Sequence, residues 1–290
     1  MKINCYFSPV PDVCIYKKKW YTQFINGIHK TPSSLQIVHS IQSCNIIFTI
    51  IDNYSEIYEK DKEYIDKNNI KFIIISCQDT PFEDLEIFKN ENILLVLEHC
   101  RKNYVQTPKI VCLLNTQNRF IYNENAKKLK DRQYDLVFFG KIKLGNEYET
   151  HRTQVVHKMN EFGKKYPKYK VVTGEFVSMK EYLHYLENSK ILISPYGFGV
   201  WSLKEFEAVC NGTHVVKPNI YYECYPNYYQ NMDHYSDDLD KFDDTILNLL
   251  ENIDIVQDKV DKNREMFRNY NYFTHIKELE LLIHERLSWC

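Results

Sequence analysis

The sequence predicts an α/β protein built as two domains, each with a parallel sheet, facing a cleft. Three observations carry this. Short apolar runs such as "NIIFTII", "KFIIIS", "ILLVL" and "KILIS" alternate with amphipathic helical stretches. These runs are continuous in Ile, Leu and Val, as strands covered on both faces require. The alternation also stops once, over the polar segment 115–133, and then restarts.

Taken in order, the first half predicts a strand at 3–7, helices near 17–28 and 33–43, and a strand at 45–51. A helix at 55–68, a strand at 71–76, a helix at 82–89 and strands at 93–97 and 109–114 follow. After the polar crossing come strand 135–139, helix 149–164, strand 169–172, helix 178–187, strand 190–194, helix 202–211 and strand 214–217. Three helices, 240–252, 255–268 and 273–288, close the chain. Repeated βα units imply right-handed crossovers and parallel sheets. The expected organisation is a Rossmann-like domain over 1–130, a second over 131–270, and a last helix over 271–288. That helix is expected to return to the first domain, from its apolar spacing at Phe273, Ile276, Leu279, Leu282, Ile283 and Leu287. One large doubly wound sheet is the alternative.

The bulk composition excludes several classes. With 290 residues, the chain can bury one large core or two modest ones. Its 37 Lys and Arg nearly balance 39 Asp and Glu, so no global field favours nucleic acid or an anionic membrane. The nine cysteines are scattered without a C-x-x-C pair, which indicates neither a zinc site nor a disulfide framework. The start, "MKINCYFSPVPD", lacks an apolar signal core, and no run approaches ~18 apolar residues. A cytoplasmic protein without stable membrane insertion is expected.

In open α/β sheets ligands sit beyond the carboxyl ends of the strands. There the strand "KILIS" runs into "PYGFGVWS". Gly197 and Gly199 permit close backbone approach, and Tyr196, Phe198 and Trp201 offer flat surfaces for a base or sugar. Ser202 can cap the next helix, whose N-terminus suits an anion. Equally, Gly-Phe-Gly serves as a tight turn with Phe198 in the core. Glu205 and Glu207 fall in the first turns of that helix, where the dipole favours them and where exposed glutamates commonly do no more than solvate a surface. Glu207 also fits a carboxylate that accepts two ribose hydroxyls. At the first strand of the second half, "DLVFFGKIKLGNEYETHR" places Gly140 and Lys141 at a strand end and Arg152 on the next helix. That arrangement suits a pyrophosphate, and a solvated basic loop as well.

The stretch "SPYGFGVWSLKEFEAVCNGTHVVKP" resembles the donor-site segment of GT-B glycosyltransferases, in particular the exostosin-like group of eukaryotes and large DNA viruses. "NYYQNMDHYSDDLDKFDDTILNLLEN" is similar to that group's Asp-Leu element, and "DLVFFGKI" with Arg152 to its phosphate-side strand and helix. The resemblance covers roughly residues 134 to 288. It implies transfer of a sugar from a nucleotide-sugar, UDP-linked first and GDP-fucose second, to an oligosaccharide or glycoprotein hydroxyl. Glu207 would hold the ribose, and Gly140, Lys141 and Arg152 would neighbour the pyrophosphate. Ser194, Tyr196, Gly197, Phe198 and Gly199 would line sugar and phosphate. Retaining members often carry a second glutamate eight positions before the first, where this chain has Gly199, so an inverting reaction is expected. For a viral member the compartment would be the host cytoplasm.

An inverting transfer needs a general base. It is expected from the first domain: Asp79 first, then Glu98 and His99, with Asp12 and Asp52 also placed after strands. Each equally fits a helix cap or a core position. No Asp-x-Asp motif ends a strand, so neither cofactor nor metal is expected. Two other classes compete: another Rossmann enzyme such as a nucleotide-sugar epimerase, disfavoured by the missing G-x-G-x-x-G, and a non-catalytic nucleotide-sugar or glycan-binding module.

Overall fold

The computed structural model describes residues 2–9, 22, 25–76, 85–98, 100–102, 110–112, 122–145, 148–175, 177–197, 202–218, 222–224, 227–269 and 272–288. The chain divides into two compact units. Unit 1 comprises Met1–Gln117, Tyr222–Pro226 and Tyr270–Cys290, and unit 2 comprises Asn118–Tyr221 and Asn227–Asn269.

Unit 1 holds a six-stranded parallel sheet in the order β2-β1-β3-β4-β5-β7. Its strands are β1 (Ile3–Phe7), β2 (Leu35–Val38), β3 (Ile46–Ile50), β4 (Lys71–Ile75), β5 (Ile93–Glu98) and β7 (Ile110–Cys112). Two short strands, β6 (Cys100–Lys102) and β12 (Tyr222–Cys224), pair antiparallel as a separate ribbon. The alternating side chains of β3, β4 and β5 build two cores. Phe48, Ile73 and Leu95 face one side, and Ile47, Ile74 and Val96 face the other, with Tyr54 and Ile65 of α1 (Ile51–Lys67). The first core is completed by Ile276, Leu279 and Ile283 of the final helix α7 (Tyr272–Leu287). Polar contacts fix its position, since Ser34 N–H donates to Glu280 Oε1 at 2.6 Å and Ser34 Oγ lies 2.8 Å from His284 Nε2.

Unit 2 holds a five-stranded parallel sheet in the order β13-β11-β10-β8-β9. Its strands are β8 (Tyr134–Phe139), β9 (Val171–Gly174), β10 (Ser189–Ile193), β11 (His214–Pro218) and β13 (Asp233–Tyr235). The helices are α2 (Glu149–Lys165), α3 (Met179–Glu187), α4 (Leu203–Cys210), α5 (Phe242–Glu251) and α6 (Ile253–Asn269). One face is filled by Val155, Met159 and Phe162 of α2 with Phe242, Ile246, Val256 and Val260. α3 begins with a complete capping box, Ser178 and Glu181 each bonding the other's backbone N–H.

Several elements differ from the sequence expectation. Residues 33–43 form β2 and a 3-10 turn at Ile41–Ser43 rather than a helix. Leu35 is buried, Gln36 exposed and Ile37 packed on the core, which is a period of two. The described part of the 82–89 helix is a 3-10 turn, Leu85–Lys89. β13 and the β6–β12 ribbon were not foreseen, because three-residue polar strands leave no periodic signal. The single-sheet alternative fails, since the chain forms separate sheets. Residues 118–130 go with unit 2: Leu129 is fully buried in its core and Asn123 N–H donates to the Cys210 carbonyl at 3.0 Å.

Candidate functional site

In unit 2 the chain runs from β8 out to β9 at one edge, then crosses to β10 on the other side of β8. This reversal of strand order is a topological switch point, and the carboxyl ends of β8 and β10 flank the crevice it opens. Gly140 follows β8, and Ser194, Tyr196 and Gly197 follow β10. Gly140 has φ +149°, and a Cβ on it would stand 1.9 Å from Lys204 Nζ and 3.0 Å from Arg152 Nη2. Its backbone N–H donates to the Gly174 carbonyl at 3.0 Å. Only a glycine leaves the two cations where they are.

Arg152 comes from the first turn of α2 and Lys204 from the first turn of α4. Arg152 Nη1 donates to the Tyr196 carbonyl at 3.0 Å, and the Lys204 ammonium donates to the Phe139 carbonyl. Among the described residues neither cation forms an ion pair. Arg152 Nε is buried without a hydrogen-bond partner there. Burial, then the Arg152 charge, push Lys204 down to about 7, against the opposing pull of Glu207. Burial likewise lowers Arg152. Two desolvated like charges held together are unfavourable by themselves, and an anion bridging them reverses the sign.

α4 sets three further side chains. Its N-cap is Ser202, whose hydroxyl accepts from Lys204 N–H. Glu205 points inward and is 1 % exposed, as is Lys217 of β11, with Lys217 Nζ donating to Glu205 Oε1 at 2.6 Å. Glu207 lies beside the Tyr182 phenol, which burial and this carboxylate hold well above its usual pKa. Glu207 also lines a cavity of about 720 Å³ with Tyr122, Asn123, Met179, Leu183 and Asn211. Among its lining residues Met179 is an exposed apolar side chain, 63 % accessible.

A wall of rings stands beside Arg152. Tyr196 packs on Tyr148 and His151, with centroids 5.1 and 5.0 Å apart, and His151 stacks on Tyr235 at 6.0 Å. Tyr196 Oη reaches Asp237 at 3.4 Å. Burial lowers the His151 pKa, against Asp237.

Of the expected site residues, the structure brings together Gly140, Arg152, Ser194, Tyr196 and Gly197. Gly197 lies 3.7 Å from Arg152 Nη1, measured from the Cβ it lacks. Ser202 and Glu207 join them through α4. Lys141 is exposed at the rim. Phe198, Gly199, Trp201, Asp79, His99 and Asp12 lie outside the described residues. Glu98 belongs to unit 1, buried at the end of β5, where Ser76, just after β4, donates its N–H to the Leu97 carbonyl at 2.8 Å. Glu205 is a correction: it is an internal residue and not a surface glutamate. A lysine inside the apolar run "THVVKP" was the available signal, because a buried Lys needs an acid. Lys204 was missed because a lysine among glutamates on a short helix looks like ordinary surface charge.

Among the described residues no three His, Cys, Asp or Glu side chains group as metal ligands, and no helix is long and apolar enough to cross a membrane. No family model and no curated protein sequence matches the chain. Solved structures do. A GtfA/B complex matches with TM-score 0.54 and 11 % identity, over 93 % of this chain and 61 % of that one. TarM matches with TM-score 0.52 and 12 % identity, over 82 % of this chain and 54 % of that one. An alpha-glucosyltransferase in complex with UDP-glucose and DNA containing an abasic site matches with TM-score 0.51 and 9 % identity, over 98 % and 99 %. The chain thus spans about half of TarM and nearly all of the alpha-glucosyltransferase. The fold is GT-B, two Rossmann-like units.

Proposed function

We propose that the chain is a glycosyltransferase whose unit 2 binds a nucleotide-sugar, UDP-linked first and GDP-linked second. The observation that supports this most is the Arg152–Lys204 pair at the switch point, two desolvated cations around a glycine that form no ion pair among the described residues. A diphosphate supplies the missing charge, and the α4 N-terminus adds its dipole. Glu207 takes the ribose hydroxyls, and the adjoining 720 Å³ cavity has room for the base. Tyr196 and Gly197 border the sugar, and Phe198, Gly199 and Trp201, which follow them in sequence, are proposed to do the same.

The chemistry proposed is displacement at the anomeric carbon by an oligosaccharide or glycoprotein hydroxyl. The leaving diphosphate is stabilised by Arg152, Lys204 and the helix end, without a metal. Inversion is proposed from Gly199, which stands where retaining enzymes often place a glutamate. The base is sought in unit 1, whose own switch point lies between β1 and β3. There Ser8 Oγ donates to Thr49 Oγ1 at 3.0 Å. Because ligands gather at switch points, Asp12, which follows β1 in sequence, is proposed ahead of Asp79, which follows β4. Glu98 ranks lower because it is only 2 % exposed. His99 follows it in sequence. An exostosin-like, viral origin acting in the host cytoplasm rests on the motif resemblance alone.

A thermal-shift screen across UDP-, GDP- and ADP-sugars tests the donor, followed by hydrolysis of the best one in buffer. Stabilisation with turnover is expected. Stabilisation without turnover on any acceptor would leave a binding module, and no stabilisation would remove the donor site.

A further inference from the structure

Resting on that reading of unit 2, we propose that the buried Glu205–Lys217 pair positions the donor site by fixing where α4 sits against the sheet. α4 is only eight residues long. The other inward side chains, Phe206, Val209 and Cys210, are apolar and make no side-chain hydrogen bond among the described residues, while the Cys210 carbonyl at the far end accepts from Asn123 N–H and Arg264 Nη1. Glu205 gives two: its Oε1 accepts from Lys217 Nζ of β11 at 2.6 Å and from Ser194 Oγ at the end of β10 at 3.2 Å. The Lys217 ammonium also lies 4.4 Å from the Tyr229 ring centroid. One carboxylate therefore pins the helix to two strands at once.

Lys204 and Glu207 are three residues apart and share a helix face, while Glu205 lies between them in sequence and faces the opposite way. Any shift of Glu205 thus moves both groups assigned to the nucleotide. A buried ion pair is weak evidence for stability, since apolar replacement of both partners is often neutral or stabilising. Registry is the use that remains, and here the registered element carries the ligand groups.

The test replaces both charges, Glu205→Leu with Lys217→Met, and follows the Lys204 ammonium by ¹³C-lysine NMR, its resonance assigned with Lys204→Met. No nucleotide is needed. In the wild type the midpoint is expected well below that of a free lysine, since burial and Arg152 push Lys204 down to about 7. In the double variant the midpoint is expected to rise by about one pH unit or more, as Lys204 leaves Arg152 and its buried seat. The melting temperature is expected to stay close to wild type and UDP affinity to fall severalfold. An unchanged midpoint with unchanged UDP affinity would overturn the proposal. If the wild type binds no UDP, the donor reading fails, and the Lys204 midpoint still decides the positioning role. Should the double variant not fold, Glu205→Asp keeps the charge and shortens the reach by one methylene. It is expected to shift Lys204 in the same direction, and a wild-type titration in that variant would equally overturn the proposal.

Discussion

Arg152 and Lys204 share one aromatic ring: the guanidinium carbon lies 5.2 Å and the ammonium nitrogen 5.3 Å from the centroid of Phe138. Phe138 is a buried core residue of β8. The ring therefore holds two cations side by side at the strand end, partly offsetting their desolvation by cation–π attraction. Such a pair of desolvated cations is the feature on which the proposed diphosphate site rests.

A pH dependence with a definite sign follows. Lys204 sits near 7 in the fold, against about 10.4 for a free lysine. Between these values the unfolded chain holds a proton that the folded chain lacks. Stability of the unliganded protein should therefore rise with pH across that window as far as this group contributes. A bound diphosphate restores the proton to Lys204, so UDP affinity should fall above pH 7, by up to about tenfold per unit. Calorimetry at pH 8 in buffers of different ionisation enthalpy should show proton uptake on binding. Affinity that stays flat from neutral to alkaline pH would contradict the role given to Lys204.

Glu207→Ala should weaken UDP binding at least tenfold, because two charge-assisted bonds to a ribose contribute about 1.5–3 kcal/mol each. The melting temperature should change little or fall slightly, since the buried Tyr182 phenol loses a neighbouring carboxylate that favours its protonated form. Equal affinity for UDP in the variant would remove the ribose assignment.

Leu279→Ala should destabilise unit 1 by about 2–5 kcal/mol, the usual cost of a fully buried leucine. Leu279 is 0 % exposed in the core that includes β1, β3 and β5. Leu281, 69 % exposed on the same helix, is the control: Leu281→Ala should be nearly neutral. Denaturant titration of both variants separates them, and similar stability for the two would mean that α7 is not part of that core.

Asp12→Asn should leave UDP affinity unchanged and reduce transfer by ~100- to 10,000-fold, as loss of a general base does. Asp79→Asn is the paired experiment. If Asp79→Asn abolishes transfer while Asp12→Asn retains it, the base lies after β4 and the switch-point argument for unit 1 fails.

The sequence made the strands legible wherever Ile, Leu and Val run unbroken, because both faces of a parallel sheet are buried. It pointed to Gly140 because glycine stands out at a strand end, and to Arg152 and Glu207 because charge stands out on the helices that follow strands. β2 was misread: "SSLQIVHS" alternates over too few residues to exclude a helix, and its strand character comes from pairing with β1. Lys204 and Glu205 were illegible for a different reason. Adjacent charges on a helix look alike in sequence, and only packing shows that one faces Gly140 and Phe139 and the other faces Lys217.

The central claim is that Arg152 and Lys204 hold a nucleoside diphosphate. Its most direct test is calorimetric titration of UDP at pH 7 into the wild type and into Lys204→Met. The account predicts saturable one-site binding by the wild type and an affinity lower by tenfold or more in the variant, which should melt no lower because a buried like charge is gone. Absence of UDP and GDP binding to the wild type, or the same affinity in both proteins, would contradict it.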